Sequence, residues 1–304
     1  MAPVLEIMGV SKSYRSNMSL QKYWILRDLT LAVQEGEIFG FIGPNGAGKT
    51  TTLKLVMDLI RPDGGAIQIF GDSHKKVGIK ARIGFLPENP YFYDYLTAGE
   101  FLDFYGRLFG YPRAVRDAKT SALLARVGLA NRRDRQLRKF SKGMLQRLGL
   151  AQALINDPDL VILDEPMSGL DPVGRREVRD IILSLKEAGK TVFFSTHILS
   201  DTELICDRVG ILSKGDLKAV GKLSNLLTHR VKFWEVTFSG LSPEGLPGIE
   251  SIVSRDRDEI LVRAEDEEAV RVLVSAVLEK GGRLRGVVPQ REHLEDLFLR
   301  EIGR

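Results

Sequence analysis

The sequence has 304 residues, of which 43% are hydrophobic and 28% charged, with a net charge of +4. That is enough apolar chain for one large domain and a smaller one, and the mild basic excess selects no partner among nucleotide, nucleic acid and lipid surface. The single cysteine, Cys206, excludes an internal disulfide; no basic-then-apolar leader opens the chain, and no apolar run reaches the ~18 residues a membrane helix needs, so a cytoplasmic protein is expected.

Taken in chain order, VLEIMGV and ILRDLTLAV have strand patterns and flank RSNMSLQKYW, which is polar and turn-like. EIFGFIG is a short apolar strand running into a glycine-rich loop. TTLKLVMDLI has helical spacing, with Leu53, Val56, Met57 and Ile60 on one face, and the Arg61–Gly65 stretch stops it. AIQIF and ARIGFL read as strands. Residues 97–128 read as mostly helical, opened by Thr97 with Glu100 three positions on, the spacing of a capping box. After the basic stretch NRRDRQLRK comes a helix from Lys142 to about Ile155. DLVILDE is a fully apolar strand, as a buried parallel strand should be. A helix over 173–188, the strand TVFFST, a helix from His197 to about Cys206 and the strands RVGIL and LKAVG follow. Strands alternating with helices over 36–206 predict a mainly parallel sheet with helices on both faces. Beyond Asn225 the order becomes three strands, a helix, a strand and a helix, which suits a small α+β domain.

Gly43-Pro44-Asn45-Gly46-Ala47-Gly48-Lys49-Thr50, followed by Thr51, fits the phosphate-loop pattern and lies between a strand and a helix, the context it requires. Glycines let the backbone curl so that successive N–H groups aim at phosphate oxygens, and the following helix adds its positive end. Lys49 then reaches the β- and γ-phosphates, and the Thr50 hydroxyl is a ligand for Mg²⁺. A second metal anchor is needed, and the strand Leu160–Glu165 carries two carboxylates out at its C-terminal end. Asp164 is expected to hold the metal shell, and Glu165 to act as general base on the attacking water.

At this point a family resemblance becomes specific. Phe140-Ser141-Lys142-Gly143-Met144 resembles the LSGGQ signature of ATP-binding cassette (ABC) ATPases, with Lys142 and Met144 among its departures, and keeps Ser141 and Gly143. Ser168-Gly169-Leu170-Asp171 resembles the family's D-loop, and Ser195-Thr196-His197 its switch histidine. Phe85-Leu86-Pro87-Glu88 stands where the family's Q-loop carries glutamine; export-type members are similar in having Pro-Glu here. The resemblance implies that Ser141, Gly143 and Asp171 meet ATP across a head-to-tail pair of cassettes, that His197 contacts the γ-phosphate and, across the pair, the D-loop, and that Glu88 stays near the metal. It also implies an aromatic on the adenine, for which Tyr14 fits best, with Tyr23 and Trp24 as alternatives.

The fold implied is a phosphate-loop NTPase of the ABC type over 1–225: a mainly parallel sheet, an antiparallel β part and a helical subdomain at about 90–160. A small C-terminal α+β domain over 226–304 completes it. Leu294–Leu299 resembles the accessory domain of export-type members, and an amphipathic helix docking on its own domain reads equally well. The implied function is an ATPase using ATP and Mg²⁺ to power export through a membrane permease on a separate chain, peripheral on the inner face of the cell membrane. The expected second cassette is a copy of this chain, with the aromatic stretch NPYFYDYL touching the permease and no nucleic acid as a partner. A soluble DNA-repair or translation ATPase is the alternative. No heptads lie between phosphate loop and signature, and there is one motif set, which argues against both. A binding module without turnover is opposed by the presence of Glu165 and His197.

Overall fold

The computed structural model describes residues 3–15, 22–227, 231–256 and 258–303. The chain divides into two compact units, 1–223 with 300–304, and 224–299.

The first unit holds two sheets. β1 (Pro3–Arg15) and β2 (Lys22–Gln34) pair antiparallel. β3 (Ile38–Ile42) leads through the glycine-rich loop to α1 (Lys49–Val56), after which come β4 (Gly64–Ile69), β5 (Asp72–Ser73), the single turn α2 (Val77–Lys80) and β6 (Ile83–Leu86). α3 (Ala98–Leu108), α4 (Arg113–Arg126) and α5 (Lys142–Ala153) form the helical part. β7 (Leu160–Asp164), α6 (Pro172–Glu187), β8 (Thr191–Thr196), α7 (Leu199–Ile205), β9 (Arg208–Ser213) and β10 (Asp216–Lys222) complete the unit. The antiparallel sheet has the order β2-β1-β4-β5. The central sheet has the order β10-β9-β3-β8-β7-β6, parallel except for β10.

Sequence explains the central sheet. Every residue of β3, β7 and β8 is buried, because a parallel sheet is covered on both faces and needs apolar side chains in both directions. Alternate residues serve opposite cores. Val161, Leu163, Val192 and Phe194 pack with α5 and α6 residues such as Leu148 and Ile182, while Leu160, Ile162 and Phe193 pack with Leu53 and Val56 of α1.

Four expectations change in detail. β1 and β2 run on to Arg15 and back to Lys22, so the ends of RSNMSLQKYW are strand; its residues 16–21 lie outside the described residues. α1 stops at Val56 rather than near Ile60, since Asp58 turns the backbone to φ +58°. The helical stretch 97–128 is two helices, broken where Gly110 takes φ +72° and Pro112 caps α4. The capping box is present: Thr97 Oγ1 accepts from Glu100 N at 3.2 Å, and Glu100 accepts from Thr97 N at 2.8 Å. Finally, α7 begins at Leu199 rather than His197.

The second unit contains most of α8 (Leu223–Leu226), β11 (Val231–Ser239), β12 (Ser251–Asp256), β13 (Glu259–Ala264), α9 (Glu267–Glu279), β14 (Arg283–Arg291) and most of α10 (Leu294–Ile302). Its antiparallel sheet has the order β12-β13-β11-β14. Val236, Phe238, Ile260 and Val262 on one face pack on Val270, Leu273 and Val277 of α9. Asp266 caps α9, accepting from Ala269 N at 2.8 Å.

Candidate functional site

A cleft of about 350 Å³ lies at the C-terminal ends of the parallel strands. It is lined by Ile25, Asn45, Gly46, Gly48, Lys49, Thr50, Thr51, Glu88, Glu165, Ser168 and His197. The loop between β3 and α1 forms its floor. Gly48 caps α1 at φ +113°, a conformation closed to residues with a Cβ. A Cβ there would also stand 2.8 Å from Leu26 Cδ2. The free N–H groups at the start of α1 therefore face the cleft with the positive end of the helix behind them.

Lys49 folds back over this loop. Its ammonium donates to Gly43 O at 2.7 Å and Pro44 O at 3.3 Å, and pairs with Glu165 Oε1 at 3.3 Å. It is buried, so its charge is held in place rather than screened. Gly43, Pro44 and Ala47 shape the loop without lining the cleft.

Asp164 and Glu165 leave β7 in different directions. Asp164 is 2% exposed. Its Oδ1 accepts from Ser195 Oγ at 2.6 Å and from Thr50 Oγ1 at 3.2 Å. Burial raises the Asp164 pKa above the ordinary carboxylate range, and these two hydrogen bonds oppose the shift. Glu165 turns out of the strand at φ +51°, an unusual conformation for a side-chain-bearing residue. Ser195 Oγ accepts from Glu165 N at 3.0 Å, so one hydroxyl holds both the Asp164 carboxylate and the backbone at Glu165. His197 Nδ1 lies 2.8 Å from Glu165 Oε2. A carboxylate only accepts, so Nδ1 carries the proton. This contact holds His197 before α7 starts.

Thr50 and Asp164 are hard oxygen donors close enough to share one cation, the donor chemistry that Mg²⁺ takes. Among the described residues no group of three or more His, Cys, Asp or Glu could hold a metal unaided. A shell completed by phosphate and water therefore fits the residues present.

The other expected residues lie elsewhere. Ser141 caps α5, accepting from Met144 N at 3.3 Å; Asp171 caps α6, accepting from Gly174 N at 2.8 Å. Neither lines the cleft, nor does Gly143. Tyr14 does not line it either: its ring sits 6.2 Å from that of Tyr23, opposite it in the β1–β2 register, while Ile25 reaches the cleft. Sequence reasoning missed Ile25 and the double duty of Ser195. The second had a signal, a polar residue in an apolar strand whose register places it beside Asp164.

A family model described as ABC transporter matches residues 26–168. The chain is 47% identical to an uncharacterised ABC transporter ATP-binding protein, sll0415, of Synechocystis sp., over 99% of this chain and 85% of that one. It is 31% identical to the Nod factor export ATP-binding protein I of Ralstonia nicotianae, over 99% of this chain and 94% of that one. Among solved structures it resembles the dimeric post-hydrolysis state of the ATP-binding cassette MJ0796 bound to ADP and Pi. The TM-score is 0.66 at 25% identity, covering 72% of this chain and 98% of that one.

Proposed function

This chain belongs to the ABC transporter ATP-binding proteins and is an ATPase, and on that premise we propose that two copies clamp two ATP molecules head to tail and drive export through a separate membrane permease. The observation that carries the chemistry is Glu165, with one carboxylate oxygen on Lys49 and the other on His197.

The γ-phosphate of ATP enters beside Lys49, which exchanges its carbonyl and carboxylate partners for phosphate oxygens. Loop N–H groups and the start of α1 take the remaining charge. Released from Lys49, Glu165 accepts a proton from a water in line with the γ-phosphorus. The water oxygen bonds to phosphorus and the bond to the bridging oxygen breaks, giving ADP and phosphate. His197 holds the Glu165 carboxylate in direction throughout. Mg²⁺ would be held by Thr50 and Asp164, with Glu88 lining the same cleft, and would supply positive charge against the phosphates. Asp164 presents its carboxylate to that site because Thr50 and Ser195 hold it.

Closure needs a second copy. Ser141, Gly143 and Asp171 stand away from their own cleft, which supports a site completed by the partner's signature and D-loop; the dimeric MJ0796 structure supports pairing of cassettes. Loss of the γ-phosphate then loosens the pair. Tyr14, whose ring lies 6.2 Å from that of Tyr23 and tilted 31° to it, is the adenine platform in this reading. Tyr93, Tyr95 and Phe104 line a groove of about 1060 Å³ in the helical part, and we assign it to the permease. Among the described residues no helix is long and apolar enough to cross a membrane, in keeping with an ATPase that sits on the inner membrane face through that contact. Likeness to the Nod factor export protein supports export as the direction.

Glu165→Gln tests the chemistry. It should keep ATP binding and lose about 10²–10⁴-fold in turnover, the range for a general base. Normal hydrolysis by that variant would remove Glu165 from the role.

A further inference from the structure

Two departures from the family pattern are charged, and they are opposite in sign. Glu88 replaces a neutral glutamine and Lys142 replaces a glycine, each within a motif of the composite site. Neither has an ion-pair partner among the described residues.

Glu88 adds to a cleft already dense in negative charge. Glu88 and Glu165 line it with one lysine, Lys49, whose ammonium already serves Gly43 O and Glu165. A triphosphate brings more charge of the same sign, and like charges at short range oppose one another. Among the described residues no cation pairs with Glu88.

Lys142 poses the complementary problem. It is the first residue of α5, where a cation opposes the helix dipole, and the first turn has no acidic residue to offset it. Its ammonium lies over Gly169 of the Ser168–Asp171 loop. A Cβ on Gly169 would collide with it, and Gly169 has φ +66°. The charge is thus placed between the two motifs, Ser141–Gly143 and Ser168–Asp171, that the head-to-tail reading turns toward the partner's nucleotide. A local cost that no ion pair among the described residues repays marks a residue whose counter-charge comes from elsewhere.

We propose that Lys142 of one copy pairs with Glu88 of the partner copy when ATP closes the dimer. The pair neutralises the carboxylate that this chain carries in place of glutamine. The inference rests on the head-to-tail reading. It makes Lys142 a positioning residue for closure and leaves proton transfer to Glu165.

The experiment measures the ATP-dependent monomer–dimer equilibrium of Glu165→Gln by analytical ultracentrifugation. Further changes are Lys142→Met (which keeps the stem and removes the charge), Glu88→Gln, both together, and the exchanged pair Lys142→Glu with Glu88→Lys. Lys142→Met alone should weaken dimerisation about tenfold, an effect expected to fade with added salt. In the Glu88→Gln background the same change should cost under about twofold, and the exchanged pair should recover most of the loss. An equal loss in both backgrounds would overturn the pairing and leave Lys142 acting on the nucleotide instead; no loss in either would overturn any role in closure. A Glu165→Gln parent that stays monomeric with Mg²⁺–ATP would overturn the head-to-tail reading itself, and this inference with it.

Discussion

The central sheet of the first unit and the sheet of the second are built on opposite plans. β7 is buried at all five residues, whereas β12 is exposed at all six. A strand covered on both faces can bring polar groups out only at its end. That is where Asp164 and Glu165 emerge, with the loop after β3 and the end of β8 beside them. The second unit covers one face of its sheet with α9 and leaves Ile252 and Val253 on an exposed edge strand. Burial on both sides is what fixes a site to within a hydrogen bond, and among the described residues only the first unit has it. We therefore place all the phosphate chemistry there.

The contrast is open to breaking. The largest expected effect is Phe193→Ala in β8, which should cost about 3–5 kcal/mol in chemical denaturation because the ring is fully buried between Phe39 and Phe41. A loss under 1 kcal/mol would mean the central sheet is less constrained than its burial implies. Next is Lys49→Ala, which should weaken ATP binding about 100-fold by calorimetry, the loss of a buried charge-assisted contact. Unchanged affinity would remove the loop's lysine from phosphate binding.

Asp164 gives a pH-dependent effect. Its folded-state pKa is raised above the ordinary 3.8, chiefly by burial. The folded state therefore binds the proton more tightly than the unfolded chain does. The associated stability is present below pH 3.8 and is lost as pH rises through the folded value. Asp164→Asn mimics the protonated form. It should raise the nucleotide-free Tm at neutral pH, with the gain shrinking toward pH 3.8, while ATP turnover falls. A Tm lowered at neutral pH would show that the hydrogen bonds from Ser195 and Thr50 outweigh burial. The smallest effect is Val253→Thr on β12, expected to stay within about 0.5 kcal/mol as for other exposed positions.

The same contrast explains what the sequence made legible. β3, β7 and β8 read clearly, because unbroken apolar runs between turn signals leave few alternatives. The phosphate loop, the acidic strand end and the Thr97–Glu100 capping box each follow from spacing alone. The ends of β1 and β2 did not, since Ser13–Arg15 and Lys22–Trp24 are polar or aromatic residues at the margin of an antiparallel sheet. There, pairing rather than burial sets the length. Nor did the start of α7, which follows the extended Ile198, with His197 held on Glu165, 32 positions away in the chain. Ile25 was hidden for a related reason: only the fold carries the start of β2 over Gly48.

The central claim is that ATP joins two copies of this chain through sites neither completes alone. Light scattering on Glu165→Gln after size exclusion, with and without Mg²⁺–ATP, tests it most directly. A shift from monomer to dimer that appears only with Mg²⁺–ATP, and disappears when Ser141 is also changed to Arg, is the expected result. A mass unchanged by nucleotide, with ATP binding intact, would contradict it.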